Sequence, residues 1–489
     1  MTKQCYNPYL PECEYIPDGE PYVFGNRLYV FGSHDAAGGE KFCVNDYVVW
    51  SAPTDDLSAW RCEGVVYRKT QDPRNADGRY CLYAPDVARG ADGRYYLYYT
   101  LEDLGIMSVA VCDEPAGSYE YYGDVRLADG SVIGEREGDI YQFDPGIFVD
   151  EDGRIFLYSG FGIGEGAESY FRGLKPYGMY VMELEADMLT VKGEPKLLLP
   201  SNMQTSRQVH GFFEASSMRK INGRYYLIYS STLSHELCYM TSRYPDREFC
   251  YGGTLISIGD VGYHGRSEAH ALDHLGNTHG SLVKIGEDWY IFYHRQTNRS
   301  NYSRQGCAEK IKLLESGLFE QAQRTSMGLN QGALAGTGTY PAGIACNLFT
   351  RNHAGYRDYR DPKAYALDAR PFLTQEEPDV SLEEAHEGCA QHIAAWKNGG
   401  MIGYKFFELS NPKQVLVEIS GDGAGWIHVC TELDEADCPA GTLAKISVER
   451  RAGRRVCSAK TVCAVSGVKP LYFCFEGEGE LLFYSFTLE

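Results

Sequence analysis

Five polar residues stand at corresponding places, each just before or within an apolar run. They are Asp18 in PDGEPYVF, Asp86 in APDVARG, Asp144 in FDPGIFVD, Glu214 in FEASSMRK and His279 in HGSLVKI. Taken singly, an aspartate before proline or glycine is more simply a turn former. Recurrence in register indicates a shared structural position instead, and Glu214, between Phe213 and Ala215, is the hardest of the five to explain as a turn residue.

Carboxyl groups that converge in a fold can divide acid and base work between them. Like charges repel and burial removes hydration, so the pKa values of such groups separate, and one stays protonated near neutral pH while another is ionised. Hydrolysis of a glycosidic bond needs that pair: an acid for the leaving oxygen and a carboxylate that activates water. We expect this chemistry of Asp18, Asp144 and Glu214 if the fold gathers them.

An aromatic strand pattern follows each of these segments and predicts the elements that position them. Its copies are GNRLYVFGSHD, GRYYLYYT, GRIFLYSG, GRYYLIYS and GEDWYIFYHR, which begin their apolar runs at Leu28, Tyr95, Ile155, Tyr225 and Trp289. Such even spacing leaves room for about four strands per copy, which predicts a five-bladed β-propeller. A β-sandwich or stacked barrels would not explain the spacing. If the polar residues start the innermost strands, they converge at one end of the central channel.

Charge and cysteine usage limit the partners. The chain has 489 residues and a net charge of -21, which disfavours nucleic acid and anionic membranes and is compatible with neutral sugars. Its 16 cysteines are scattered without CxxC pairs, and the N-terminal residues lack the pattern of a secretory signal. We therefore expect a cytoplasmic protein; composition does not indicate its oligomeric state.

The ordered motifs resemble one known family. IPDGEPYVFGNRLYVFGSHD, YAPDV, FDPGIFVDEDGRIFLY, FFEASSMRKINGRYYLIYS and THGSLVKIGEDWYIFYHR together are similar to glycoside hydrolase family 43, over roughly residues 5 to 320. The resemblance implies a five-bladed propeller and an inverting enzyme, mainly of the β-xylosidase, α-L-arabinofuranosidase or arabinanase type.

The resemblance also implies roles. Asp18 resembles the general base, Glu214 the general acid, and Asp144 the carboxyl that tunes and orients the acid. His279 resembles the histidine beside the axial channel, where many members hold a calcium ion or a water cluster. Calcium prefers oxygen ligands, so one imidazole does not specify it, and a structural calcium stays open. No catalytic cofactor is expected.

Further residues are candidates for substrate binding, each with a structural alternative. Arg295 and Arg304 either hydrogen-bond sugar hydroxyls, hold the acid, or are solvated. Asp86 either contacts substrate or caps a strand. Phe161 and Phe213 either stack on a sugar ring or pack between blades.

Three other signals do not support a site. Histidines 264, 270, 274 and 279 crowd one segment, but HALDH lacks the glutamate of HExxH, so a loop at the channel mouth is favoured over zinc. GFGIGEG lacks the spacing of a nucleotide loop. The RDP triplet at 360–362 lies beyond the fifth repeat, which disfavours the retaining fructan hydrolases that share the propeller.

The pattern changes after the fifth repeat. We divide the chain into a catalytic propeller at 1–325, a Gly- and Ala-rich linker at 326–344 and an antiparallel β-sandwich at 345–489, resembling carbohydrate-binding family 6. Trp396, Tyr404 and Trp426 are either stacking platforms or core residues.

These observations predict an exo-acting enzyme that removes terminal xylosyl or arabinofuranosyl residues from plant oligosaccharides. The alternatives are a non-catalytic carbohydrate-binding propeller, a retaining glycosidase, and a glycosidase of the same fold acting on another furanoside or galactoside. Sugar specificity depends on loop geometry that spacing does not supply.

Overall fold

The computed structural model describes residues 4–201, 210–350, 369–376 and 390–489. The RDP triplet lies outside these residues. Within them the chain forms strands and short 3-10 helices and no α-helix. The 3-10 helices are Lys69–Gln71, Pro73–Asn75, Glu168–Phe171, Ile258–Asp260, Tyr263–Gly265, Glu268–His270 and Ala342–Ile344.

Five antiparallel sheets follow one another as blades, each built from consecutive strands. Blade 1 contains β1 (Glu20–Phe24), β2 (Arg27–Phe31), β3 (Tyr47–Pro53) and β4 (Arg61–Tyr67). Blade 2 contains β5 (Asp86–Arg89), β6 (Tyr95–Thr100), β7 (Met107–Cys112) and β8 (Glu120–Asp124). Blade 3 contains β9 (Gly146–Val149), β10 (Ile155–Gly162), β11 (Tyr177–Leu184) and β12 (Lys196–Pro200). Blade 4 contains β13 (Phe212–Ile221), β14 (Arg224–Ser231), β15 (Glu236–Ser242) and β16 (Cys250–Ser257). Blade 5 contains β17 (Leu282–Ile285), β18 (Asp288–Thr297) and β19 (Ser300–Ile311).

Aromatic and aliphatic side chains seal each pair of neighbouring blades. One buried cluster joins each pair, including blades 1 and 5, where Leu28 and Trp50 pack with Val283 and Phe292. The last contact closes the ring, so the five-bladed propeller is confirmed. Blade 5 has three strands among the described residues, one fewer than the repeat spacing predicts.

The innermost strands β1, β5, β9, β13 and β17 approach closely around the axis. A Cβ added at Gly146, the first residue of β9, would lie 2.6 Å from the carbonyl oxygen of Ser216 in β13, so this close approach of blades 3 and 4 requires glycine. Alternate residues of these strands point to the axis because strand side chains have a period of two. The polar residues at the starts of the innermost strands are thereby brought together near the axis.

Two packed sheets form the C-terminal β-sandwich. The first contains β20 (Leu334–Ala335), β22 (Asn347–Thr350), β25 (Gly400–Ser410), β27 (Ala424–Leu433), β28 (Pro439–Val448) and β30 (Ser466–Glu478). The second contains β21 (Gly338–Pro341), β23 (Phe372–Gln375), β24 (Gln391–Trp396), β26 (Gln414–Ser420), β29 (Arg455–Lys460) and β31 (Leu481–Leu488). Because β20 pairs with β25 and β21 with β31, residues 334–341 of the expected linker belong to the sandwich.

The sandwich is fixed to the propeller. Lys405 and Asp260 form a fully buried ion pair with Nζ and Oδ2 2.6 Å apart, and Leu272 packs with Phe349 and Met401. Trp396 and Tyr404 are core residues, whereas Trp426 is 42% exposed. Among the residues described, no helix has the length and apolar character needed to cross a membrane.

Candidate active site

A cavity of about 280 Å³ opens at one end of the propeller axis. Every blade contributes to its lining, and the three predicted catalytic carboxyls are among the lining residues: Asp18 from blade 1, Asp144 from blade 3 and Glu214 from blade 4. Ala84 of blade 2 and His279 and Arg304 of blade 5 complete the ring around them. Residues as far as 286 positions apart in the sequence therefore meet in one small space.

Asp18 is buried and held as an anion. Its carboxylate accepts a hydrogen bond from Ser33 Oγ at 2.6 Å and from Arg304 Nη1 at 2.9 Å, and His294 Nδ1 lies 3.3 Å away. Burial by itself would raise the pKa of Asp18, but the charge of Arg304 and the contact with His294 outweigh it and hold the pKa below its usual range. An ionised carboxylate of this kind can accept a proton from water.

Arg304 is held in turn by a second buried carboxylate, Asp35. The guanidinium donates to Asp35 through Nε at 2.8 Å and Nη2 at 3.0 Å, a bidentate pair that fixes its plane. Arg304 therefore bridges Asp35 and Asp18. Asp35, in the quoted segment FGSHD, and His294, in FYHR, were not identified as site residues from the sequence.

Glu214 is half-buried and lines the cavity from a distorted part of β13. The pairing of β13 with β14 shifts register on both sides of Glu214, and Ala215 has a left-handed φ of 68°. Such a bulge redirects a side chain that a regular strand would pack between sheets. Loss of hydration and the charge of Asp18 raise the pKa of Glu214 from 4.5 to about 8, so the side chain is a carboxylic acid at neutral pH.

Asp144 links the acid and the base. Its Oδ2 accepts a hydrogen bond from the backbone N–H of Ala215 at 3.1 Å, directly after Glu214. Burial and the charges of Glu214 and Asp18 raise the pKa of Asp144 well above its usual value. Both Asp144 and Asp18 have left-handed backbones, with φ of 43° and 58°, which aspartate tolerates better than most residues. These conformations turn both side chains into the cavity.

His279 lies between the two aspartates. Its Nδ1 is 3.5 Å from Asp144 Oδ2 and 3.9 Å from Asp18 Oδ1, while its buried Nε2 has no hydrogen-bond partner among the described residues. Burial lowers the pKa of His279 to about 4, so the ring is neutral at physiological pH. It can therefore accept or donate one hydrogen bond without adding charge.

The residues beside His279 do not by themselves specify the calcium ion predicted for the channel. Calcium takes six to eight oxygen ligands, and His279 offers one nitrogen. Deeper along the axis, Arg219 already supplies a cation, with Nη2 2.9 Å from Glu20 Oε2. The donor set therefore does not specify calcium, and the calcium site stays a prediction.

One wall of the cavity is aromatic. The predicted Phe161 and Phe213 both line it, with ring centroids 5.0 Å apart. Phe143, Phe171 and Tyr141 extend the same wall and were missed from the sequence. This apolar wall shares the cavity with the carboxyl groups and is suited to contact the carbon face of a sugar ring.

Two predicted substrate-binding residues do not line the cavity. Asp86 lies deeper on the axis, where it accepts hydrogen bonds from Tyr22 Oη at 2.6 Å and from the N–H of Ile147 at 2.7 Å. Arg295 points away from the axis and donates to the carbonyl oxygens of Ala345 and Gly343. Both are structural, and the prediction that they touch substrate is corrected.

Other polar lining residues were also missed. They are Asp103, Asn277 and Asn301. Nothing in their local patterns distinguishes them from ordinary loop residues, so only the folded chain shows them.

The crowded histidines, predicted to belong to a loop at the channel mouth and not to a zinc site, have separate partners. His279 lines the cavity, while His270 Nδ1 lies 3.5 Å from Asp437 and His274 Nδ1 contacts Arg370, 3.1 Å away. In the described part of the chain, the group with metal-like spacing is His210, Glu236 and Cys238, which do not line the cavity.

Comparison with known proteins agrees with this geometry. The model of Glycosyl hydrolases family 43 matches residues 17–319. A xylosidase/arabinosidase from Thermoclostridium stercorarium is 46% identical, covering 100% of this chain and 99% of that relative. A xylosidase/arabinosidase from Bacteroides ovatus is 30% identical, covering 58% of this chain and 87% of the relative.

Solved structures share the fold. An arabinoxylan arabinofuranohydrolase of family 43 from Bacillus subtilis, in complex with cellotetraose, is 19% identical with a TM-score of 0.52, covering 99% of this chain and 97% of that one. A family 43 β-xylosidase/α-arabinofuranosidase from a compost metagenome, with xylotriose and calcium-free, is 25% identical with a TM-score of 0.50, covering 64% and 96%. The resemblance to carbohydrate-binding family 6 is not confirmed by these matches.

Proposed function

The chain belongs to glycosyl hydrolase family 43, and we propose that it is an inverting, exo-acting enzyme that removes terminal xylosyl or arabinofuranosyl residues from arabinoxylan-type oligosaccharides. The observation that carries the proposal is the cavity in which three carboxyls from three blades meet, with Asp18 ionised and Glu214 protonated at neutral pH. The xylosidase/arabinosidase name of the relative that is 46% identical supports the sugar class.

The proposed reaction uses the carboxyls in sequence. Glu214, protonated near neutral pH, gives its proton to the glycosidic oxygen as the bond to the anomeric carbon breaks. Asp18, ionised by Arg304, takes a proton from the water that attacks the opposite face of the sugar. Asp144, fixed to the backbone after Glu214, orients the acid. Released sugar of inverted configuration and the shortened oligosaccharide are the products.

The size of the cavity supports action at chain ends. Its volume of about 280 Å³ lies just below the range of about 300–1,000 Å³ that is usual for ligand pockets. A cavity of that size suits one terminal sugar with the glycosidic oxygen at its mouth. A cleft open at both ends would suit internal cleavage of a polymer better.

The test is a substrate panel with anomer analysis. Purified protein is assayed on nitrophenyl β-xyloside, α-L-arabinofuranoside, galactoside and galactofuranoside, and on arabinoxylo-oligosaccharides, with and without chelator. We expect release of xylose or arabinose, with proton NMR showing the inverted anomer first. No hydrolysis of any glycoside would favour a non-catalytic binding propeller, and the retained anomer would contradict the proposed roles.

The chelator arm also tests the calcium prediction, which requires activity or stability to fall on chelation. A cytoplasmic location and the absence of nucleic-acid and membrane partners remain predictions. The first is tested by fractionating the producing cells.

A further inference from the structure

The β18–β19 hairpin of blade 5 has one catalytic side and one side that faces the sandwich. His294 points to Asp18, and the next residue, Arg295, points the opposite way, as side chains alternate along a strand. The guanidinium of Arg295 donates to Gly343 O at 2.8 Å and Ala345 O at 2.9 Å, in the segment between β21 and β22. A residue that holds the base is thus adjacent to one anchored in the sandwich.

The tip of the hairpin is strained and held by β23 of the sandwich. Asn298 and Arg299 have left-handed φ of 55° and 49°, and this conformation is uncommon for arginine. The N–H of Asn298 donates to Leu373 O at 2.7 Å, and Thr374 Oγ1 donates to Asn298 Oδ1 at 2.7 Å. Conformations of this kind persist only where the surroundings hold them.

Arg299 adds two further contacts with the sandwich. Its Nη2 donates to Arg370 O at 2.9 Å, and its guanidinium lies 4.4 Å from the centroid of the Phe372 ring. Both partners belong to the sandwich segment 369–376. Both side chains and backbone atoms of the segment 369–376 therefore hold the hairpin tip in place.

A short chain of hydrogen bonds joins this tip to the site. Asn298 Nδ2 donates to Ser303 Oγ at 2.9 Å, and Thr297 Oγ1 donates to Ser303 O at 2.9 Å. Ser303 directly precedes Arg304, which holds Asp18, and Asn301 lines the cavity from the same hairpin. Movement of the tip would therefore be transmitted to the residue that keeps the base in place.

We propose that the C-terminal sandwich is a positioning element of the catalytic centre, which holds the β18–β19 hairpin so that His294 and Arg304 stay on Asp18. Arg299 and Thr374 are the positioning residues that make this connection. The proposal gives the sandwich a role in catalysis that needs no sugar bound to it. It rests on the proposed function, because hydrolysis supplies its first readout.

The test removes the contacts that Arg299 and Thr374 make between the hairpin tip and the sandwich, and it leaves the catalytic residues unchanged. In the R299M/T374V double variant, methionine keeps the length of the arginine stem and valine keeps the shape of threonine. We expect kcat/KM to fall about tenfold, within the range of up to about 100-fold for misplacement by a remote change. The milder T374V variant should show a smaller loss in the same direction, and it serves if the double variant folds poorly.

A structural role alone would not move the pH profile. Asp18 is faced by Arg304 and His294 from the hairpin, and by His279, Asp144 and Glu214 from the other strands around the cavity. Loosening the hairpin withdraws Arg304 and His294 only. We expect the acid limb of the kcat/KM profile to move to higher pH in the hairpin variants.

The matched control is D437N, which breaks a different contact between propeller and sandwich. Arg266 makes two bonds to Asp437, at 2.7 and 2.9 Å, from the loop before β17. We expect D437N to lower the melting temperature while leaving kcat/KM within about twofold and the acid limb in place. If the hairpin variants and D437N both change only the melting temperature, the proposal is wrong.

A second readout needs no substrate. The ring resonances of His294, followed by NMR against pH, report its contact with Asp18, and burial holds the pKa of His294 below its usual value. We expect the titration of His294 to shift in R299M/T374V and not in D437N. An unchanged titration would overturn the proposal even if wild-type protein hydrolyses nothing, while inactive wild type with a shifted titration overturns only the proposed function.

Discussion

Two layers of acidic residues lie along the propeller axis, and the upper layer faces the cavity. The upper layer contains Asp18, Asp144 and Glu214; the lower layer contains Glu20 and Asp86. In the upper layer Arg304 sits to one side and holds Asp18 ionised, Glu214 is protonated at neutral pH, and the pKa of Asp144 is raised by burial and by its acidic neighbours. In the lower layer Arg219 fills the axis and pairs directly with Glu20.

The comparison shows that burial and convergence of acids do not by themselves make a catalytic site. Burial raises the pKa of Glu20 and Asp86 as it does that of Glu214. Glu20 and Asp86 are not among the residues that line the cavity, and their hydrogen bonds join blades. The layers differ in access and in the placing of the cation, and each difference can be tested.

The largest expected effect comes from replacing a glutamate by glutamine in the upper layer, and the same substitution in the lower layer is its control. E214Q removes the proton that the leaving group needs, and general acid catalysis contributes about 10²–10⁴-fold. We expect kcat to fall by about 10³-fold on oligosaccharides while binding of product measured by calorimetry remains.

E20Q is the control in the lower layer. Glutamine keeps the acceptor for Ser217 and Arg219, and Glu20 Oε1 has no partner to lose within the described residues. We expect kcat within about threefold of wild type. Equal losses in E214Q and E20Q would remove the distinction between the layers.

The next effect concerns stability in the lower layer. R219M leaves Glu20 and Asp86 without their cation, and breaking a buried pair costs about 3–5 kcal/mol. Urea unfolding should show a loss of that size. K312M, which breaks an exposed pair with Glu320, should cost at most about 1 kcal/mol; comparable losses would show that the lower layer is not stabilised by Arg219.

The pH profile tests the upper layer. Glu214 must be protonated, so kcat/KM should fall as pH rises through about 8. Asp18 must be ionised, and since its pKa is held below the usual value, the acid limb should lie at correspondingly low pH. A profile whose basic limb lies near pH 5 would mean that Glu214 is ionised at neutral pH and cannot be the acid.

The smallest effect is a gain in stability. The folded protein binds the proton of Glu214 more tightly than the unfolded chain, so this contribution is complete below about pH 4.5 and is lost as pH rises through about 8. E214Q cannot ionise, so at pH 9 it should melt at a higher temperature than wild type. At pH 5 the two should melt together; a gain of the same size at both pH values would exclude this cause.

The sequence pattern predicted the upper layer because residues at corresponding places in the repeats occupy corresponding places in the blades. Asp18 and Asp144 each stand two residues before the innermost strand of a blade, where a left-handed backbone turns them inward. Hydrophobic repeats likewise predicted the five blades and the sandwich. These features depend on local pattern and on the period of the strand.

The two wrong predictions concern a residue that lies deeper along the axis than expected and a residue that lies on the opposite face of its strand. Asp86 is itself the first residue of β5, so it corresponds to Glu20 and lies one pleat deeper, while Ala84 occupies the place equivalent to Asp18. Arg295 differs from His294 by one residue, which on a strand reverses the direction of the side chain. Neither offset is visible without the register of the blades.

The infrared spectrum of the Glu214 carboxyl tests the central claim most directly. A difference spectrum between wild type and E214Q at pH 7 should contain the carbonyl band of a protonated carboxylic acid, and that band should disappear as pH rises through about 8. A difference spectrum showing only a carboxylate at every pH above about 5 would contradict the account, because the site would then hold no acid to release the sugar.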